Sequence, residues 1–189
     1  MTPADKFQAA LEELADDTAA RAARIVHAHR SKAERVARLV ALLQRSNAAA
    51  TALADASASR QLEALTGRAT PAAGVLPTDD SERLLKAART ALEDRTTSLD
   101  RVTRLARSEP LQTAQQAFTQ ASSGMRVGRG GYIGWIRQTN AGACELCQHW
   151  ARGGRVFPPD HGMARHPSCA CVQRLVISPT KPKQVRKPK

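Results

Sequence analysis

The chain has 189 residues, enough for one ordinary domain or for a long helical part joined to a small module, and too few for two large cores. Its 29 Lys and Arg outweigh 17 Asp and Glu, which gives a formal charge of +12 and a pI near 10.6; such a surface attracts polyanions such as nucleic acid or an acidic protein face. No run approaches the ~18 apolar residues of a membrane span, and the opening MTPADKFQAA lacks the basic start and apolar run of a secretory signal.

The expectation is a soluble protein made in a reducing cytosol, where clustered cysteines act as metal ligands more often than as disulfides. From Pro3 to Pro71 there is no proline, and the segment is rich in Ala, Leu, Arg, Glu and Gln, which favour helix. Thr2 before Pro3 fits a cap followed by a first-turn proline. Phe7, Leu11, Leu14, Ala22, Ile25, Val36, Leu39 and Leu43 follow steps of three and four, with Thr18, His29 and Lys32 filling the gaps. The spacing predicts one seam on a helix from about residue 3 to residue 45, roughly 65 Å long at 1.5 Å per residue. So long a helix needs a partner surface or neighbouring subunits to cover part of its seam.

Asp5, Glu12, Glu13, Asp16 and Asp17 come early, whereas Arg24, Arg30, Lys32, Arg35, Arg38 and Arg45 come late, an order that complements the helix dipole. Those late cations read first as a solvated face, and second as a contact for DNA or for a partner protein. His27 and His29 read as polar helix positions. Ser46 and Asn47 can interrupt the helix, which resumes to Leu65 over a weakly specified Ala- and Ser-rich stretch.

Residues 67–80, with Gly67, Pro71, Gly74 and Pro77, form a linker between the helical region 1–66 and a second helical part, 81–130. Asp80 or Ser81 can cap a helix whose stripe is Leu84, Leu85, Ala88, Leu92, Leu99, Val102 and Leu105. Pro110 should end or kink it and can open a further helix over 111–121. Near 124–131 the composition shifts: nine of the eleven glycines lie at or after Gly124, and Tyr132, Trp135, Trp150 and Phe157 are four of the six aromatic residues. YIGWIRQ (132–138) and CVQRLVI (171–177) read as strands of a β-rich module, 131–178, and residues 179–189 as a disordered basic tail. The fold class is therefore mainly α, with long N-terminal helices followed by a small α+β module stapled by metal.

All four cysteines lie between 144 and 171. Zinc takes four ligands in a tetrahedron, and a two-residue gap aims two thiolates at one ion. Cys144 and Cys147 have that gap, as do His166 and Cys169, and the glycines and prolines between the pairs supply turns. Cys144, Cys147 and Cys169 are the first three candidate ligands. The fourth is His166, which the spacing favours, or Cys171; His149 and His161 are weaker candidates. The competing reading is four reduced cysteines packed in a small core. A region of about fifty residues buries little apolar area, whereas bound zinc can supply around 10 kcal/mol of folding free energy. Removing it should then melt residues 132–177 selectively.

A catalytic zinc keeps a position open and has a base nearby, whereas at least four good ligands here point to a closed, structural Zn2+ site; Glu145 reads as solvent-facing. Asp160-His161 beside paired cysteines is similar to fragments of HNH endonucleases, but the downstream Asn and second His are missing from GMARHPSCACVQRLV. Ser108 and Ser168 have no identifiable base that would make either a nucleophile.

Three segments together, RLARSEPLQTAQQAF (104–118), YIGWIRQTNAGACELCQHWARGGRVF (132–157) and HPSCACVQRL (166–175), resemble the MuF-type minor head proteins of tailed bacteriophages. Arg107, Ser108 and Glu109 stand at that family's Arg-Thr-Glu motif, with Ser for Thr. Trp135 stands in its strand, Cys144 and Cys147 at its Cys-x-x-Cys turn, and His166, Pro167, Cys169 and Cys171 at its His-Pro-x-Cys-x-Cys end. TNAGAC lacks the aspartate that members often carry before the first cysteine. The resemblance covers about seventy residues, and the first hundred share only helicity.

It implies a non-enzymatic minor capsid protein inside the virion head, several copies bound at the portal vertex after synthesis in the host cytoplasm. Its implied partners are the portal protein, major capsid or scaffold proteins and packaged DNA held by non-specific basic contacts, with no membrane; its implied roles are head morphogenesis and DNA packaging or ejection. A zinc-containing DNA-binding or HNH-like DNA-cleaving protein is the alternative. Arg107 and Glu109 then read as structural, either paired on the helix surface or in polar contact with the cysteine module.

Overall fold

The computed structural model describes residues 1–94, 96, 98–128 and 130–183. The first helix, α1 (Pro3–His27), opens with a capping box: Thr2 Oγ1 accepts from the Asp5 amide, and the Asp5 carboxylate accepts from the Thr2 amide. It stops at His27, and α2 (Lys32–Thr66) starts behind a second box built by Ser31 and Glu34. The expected unbroken helix over residues 3–45 is therefore two helices. The interruption falls at residues 28–31, and Ser46 and Asn47 lie buried within α2. The physical reason is local: Ser31 and Glu34 satisfy two orphan amides reciprocally, which makes a helix start cheaper than helix continuation. Arg35 latches the bend by donating to the Val26 carbonyl at 3.4 Å.

Folding back changes what covers the seam. Phe7, Leu11, Ala15 and Ala22 on α1, and Leu39, Leu43, Ala50, Ala54 and Ala58 on α2, are all buried by the chain's own helices. No external partner is needed to cover them. The stretch that looked weakly specified is among the best buried, because Ala50, Ala54 and Ala58, at four-residue spacing and 0% exposed, form a smooth face against which neighbouring helices pack. Thr18 and Ser46 hydroxyls meet at 2.7 Å across the α1–α2 contact.

Gly67 closes α2 with a left-handed φ of +66° that a Cβ would oppose, its amide donating to the Glu63 carbonyl at 2.8 Å. Residues 67–80 carry no helix or strand, yet they are tied down. Asp55 of α2 accepts from the amides of Ala73, Gly74 and Val75 at 2.8, 2.8 and 3.0 Å, and Ser59 donates to the Thr70 carbonyl.

Helices α3 (Ser81–Ala91) and α4 (Ser98–Ser123) follow. The break expected at Pro110 falls instead between Leu92 and Ser98, and Pro110 sits buried inside α4. An internal proline forfeits a hydrogen bond and costs about 3 kcal/mol. Burial offsets this: Val102, Ala106, Leu111, Ala114 and Phe118 run through both sides of it at no more than 1% exposure. Phe118 stacks on Phe7 of α1 with ring centroids 5.8 Å apart.

Strands β1 (Tyr132–Gln138) and β2 (Val172–Ser178) fall within one residue of expectation and pair antiparallel, Trp135 opposite Leu175. Between them lies the short helix α5 (Glu145–Ala151). A two-stranded sheet is marginal alone, and here glutamines bolt it to the bundle. Gln61 of α2 accepts from the Leu175 amide at 2.8 Å. Gln115 of α4 donates to the carbonyls of Cys169 and Cys171 at 2.9 and 3.0 Å, and Gln8 of α1 donates to that of Ala170 at 3.1 Å. One apolar cluster runs from Phe7, Ala54 and Phe118 to Trp135, Cys171 and Leu175. A second, around Leu39, Leu84 and Val102, fills the other end. The protein is thus mainly helical with a small sheet, as expected, and the composition shift near residue 131 marks a change of element inside a continuous core.

Of the expected disordered tail, residues 184–189 lie outside the described residues. Residues 179–183 carry no helix or strand, and Pro182 lies beside Gly134 of β1. Among the described residues no helix is long and apolar enough to cross a membrane.

Candidate metal centre

Cys144 is the N-cap of α5, and Cys147 lies in its first turn. Three positions apart at a helix start, both side chains fall on one side, so the two-residue gap is realised as a helix opening. The loop before β2 brings up the other donors: a turn at Pro167 and Ser168, with Ser168 at a left-handed φ of +59°, places His166, Cys169 and Cys171 against α5.

The donors form two overlapping groups, Cys144–Cys147–His166 and Cys147–Cys169–Cys171, each with its ligand atoms within 4.8 Å of one another. His166 Nε2 lies 3.3 Å from Cys144 Sγ and 3.0 Å from Cys147 Sγ, and Cys147 Sγ lies 3.5 Å from Cys169 Sγ. The edges of a tetrahedron with metal–sulfur bonds near 2.3 Å are roughly 3.6–3.8 Å, so each of these three separations is close to what neighbouring ligands of one ion show, while the two groups join only at Cys147. All four cysteines are free thiols. The five residues singled out from sequence thus fall into two groups that share Cys147, and either group could hold a metal ion.

Three features describe the chemistry of the cluster. His166 Nδ1 lies 2.9 Å from the Pro167 carbonyl; a carbonyl only accepts, so Nδ1 carries the proton and Nε2 presents its lone pair to the thiols. Cys169 is held well below the ordinary thiol range, first by the Cys171 thiol donating to it and also by nearby Arg137. Cys171 is pushed up, because its proton is used in that bond and its surroundings are dry. Third, Arg137 is 6% exposed, and among the described residues it pairs with no carboxylate. Its Nη1 lies 3.9 Å from Cys147 Sγ and 3.7 Å from Cys169 Sγ. Its Nη2 donates to the Ala164 carbonyl, and its guanidinium sits over the Trp150 ring at 5.4 Å. A buried cation needs an anion nearby, and thiolates are the candidates within reach.

Sequence reasoning missed Arg137. The signal was present: in YIGWIRQ, alternation puts Arg137 on the face of Ile133 and Trp135, both buried. A charge on the inward face of a strand asks for a counter-charge.

The other candidates stand elsewhere. His149 and Glu145 are exposed on α5. His161 stacks on Phe157, with centroids 5.1 Å apart, and on Trp135 at 6.2 Å, and it belongs to neither donor group. Of the Arg107-Ser108-Glu109 run on α4, Ser108 is the residue that touches the cysteine loop, accepting from the Ser168 amide at 3.0 Å. Arg107 pairs with Asp16 of α1. Buried Glu109 accepts from both Nη atoms of Arg83 at 2.7 Å and from Asn47 at 3.3 Å.

No family model matches the chain, and no curated protein or solved structure matches it either. Fold and site together define a mainly helical protein with a small two-stranded sheet and, near its C-terminus, a Cys/His cluster that could hold a metal ion.

Proposed function

We propose that the chain is a non-enzymatic structural protein of a tailed-phage virion, a MuF-type minor head protein whose cysteine loop is closed by zinc. The observation that carries the reading is the run Arg107-Ser108-Glu109. Its three consecutive side chains engage α1 through Asp16, the cysteine loop through Ser168, and α2 and α3 through Asn47 and Arg83. Segments that suggested the family by their order in sequence are therefore in contact in the fold, and they do structural work there.

Soft thiolates with one imidazole favour zinc over hard, oxygen-seeking ions. Cys144, Cys147, His166 and Cys169 would hold it, with Cys171 the alternative to His166. When bound, the ion supplies cross-linking, and four protein donors leave no position for substrate water. Three thiolates and Zn2+ sum to one negative charge, which Arg137 balances. The protein would sit inside the head near the portal vertex in several copies, touching portal, capsid or scaffold proteins and packaged DNA. The DNA-cleaving alternative finds little support, since the His161 ring is taken up in the aromatic stack.

Metal analysis of protein purified without chelator should find one zinc per chain, lost on Cys144→Ser or Cys147→Ser. The purified protein should also bind the portal protein encoded with it at physiological salt. Zinc well below one equivalent with all thiols reactive would refute the metal reading, and absence of portal binding, or metal-dependent plasmid cleavage, would refute the virion reading.

A further inference from the structure

Beside the bend at residues 28–31, the end of α1 and the start of α2 border an open cleft of about 430 Å3. Arg21 and Arg24 line it from α1, Arg38 and Arg45 from α2, over a floor that includes Ile25 and Leu42. All four arginines are exposed. Arg21 pairs with Asp17 at 2.8 Å; among the described residues no carboxylate pairs with the other three. Glu34, the acidic group that feels Arg38, is engaged by Ser31 and Arg30.

Arg24, Arg38 and Arg45 thus share one cleft with no carboxylate among the described residues paired to them, whereas ordinary surface arginines spread out or find carboxylates. We propose that this cleft binds the phosphate backbone of nucleic acid. Arg38 and Arg45 are two helical turns apart on one side of α2, about 10.5 Å along the axis, and Arg21 and Arg24 one turn apart on α1. The cleft therefore offers several guanidinium forks, each suited to bidentate phosphate contact, to successive phosphates of one backbone. The floor is apolar and offers nothing that would read bases or a peptide, so binding is sequence-independent and salt-sensitive. An acidic protein face, whose charges are sparser than those of a duplex, fits less well. The proposal deepens the contact with packaged DNA suggested above and rests on that reading for its biological partner.

The test is fluorescence anisotropy of the full chain with a short labelled duplex of random sequence across a salt series. The triple variant Arg24→Gln, Arg38→Gln, Arg45→Gln should bind about tenfold or more weakly at low salt, with a slope of log affinity against log salt shallower by about 2–3. A control with the same charge change, Arg60→Gln, Arg68→Gln, Arg174→Gln, should keep most of the affinity and the slope. Unchanged thermal melting of both variants shows that they fold. Equal weakening by both would mean diffuse charge and overturn the cleft, as would tighter binding of polyglutamate than of duplex. Zinc content and portal binding measured on the same variants separate failure of the cleft, which leaves both intact, from failure of the structural reading.

Discussion

The Nη1 of Arg137 on β1 lies 3.7 Å from the Sγ of Cys169 in the loop before β2, the nearer of two thiols that this buried cation faces. The pair couples strand to loop through charge, and it makes the sulfurs' ionisation and the arginine's burial depend on each other. Arg137→Gln should weaken zinc binding about 10- to 100-fold in chelator competition, the range for residues that support metal ligands from behind. Arg137→Lys, which keeps the charge and loses the fork, should fall between. Unchanged affinity with only a lower melting temperature would reduce Arg137 to packing.

Removal of a bound metal should reach beyond the sheet. The backbone of residues 169–171 is held by Gln8 and Gln115 of the bundle, and Cys169 and Cys171 share a core with Phe7 and Phe118. Chelation should therefore lower the helical circular-dichroism melt together with the tryptophan signal of Trp135 and Trp150. Loss of the tryptophan transition alone would restore the selective melting of residues 132–177 that the sequence suggested.

Asp55, 6% exposed, holds the linker through three amides. Asp55→Ala should cost about 2 kcal/mol in urea denaturation, as expected for losing hydrogen bonds to a charged acceptor. It should also open residues 67–80 to limited proteolysis. Equal cleavage rates in variant and parent would show that the strap does not restrain the linker.

Gly134 lies where the chain at Phe157 crosses β1; a Cβ there would meet Val156 Cγ1 at 2.4 Å and the Phe157 carbonyl at 2.8 Å. Gly134→Ala should destabilise by about 1–3 kcal/mol through overpacking. Gly142→Ala, with nothing within 4 Å, is the matched control and should leave the denaturation midpoint nearly unchanged.

The start of α2 should be acid-sensitive. The Ser31 hydroxyl and amide, donating to Glu34, hold its carboxyl below the ordinary glutamate range. A depressed carboxylate pKa contributes stability that is full above the unfolded value and lost as pH falls through the folded one. The melting temperature of the parent should exceed that of Glu34→Ala above the ordinary glutamate range, and the gap should close at lower pH. A gap independent of pH would argue that Glu34 acts by propensity alone.

Local chemistry alone was enough for much of this protein. Alternation and β-branching marked both strands, and Gly67 and the prolines marked the stretch without helix or strand, because each signal lies within a few residues; the short spacings within Cys144–Cys147 and His166–Cys171 marked the residues of the two donor groups. The break at residues 28–31 was equally local, in Ser31 and Glu34, but a seam that keeps its period on both sides of a bend hides it. What only the tertiary structure decided is where distant pieces meet: that the two halves of the seam cover each other, that buried neighbours carry α4 through Pro110, that Ser108 reaches Ser168, and that Arg137 faces the thiols. Burial and long-range charge balance are properties of many residues brought together by folding, and no window of sequence contains them.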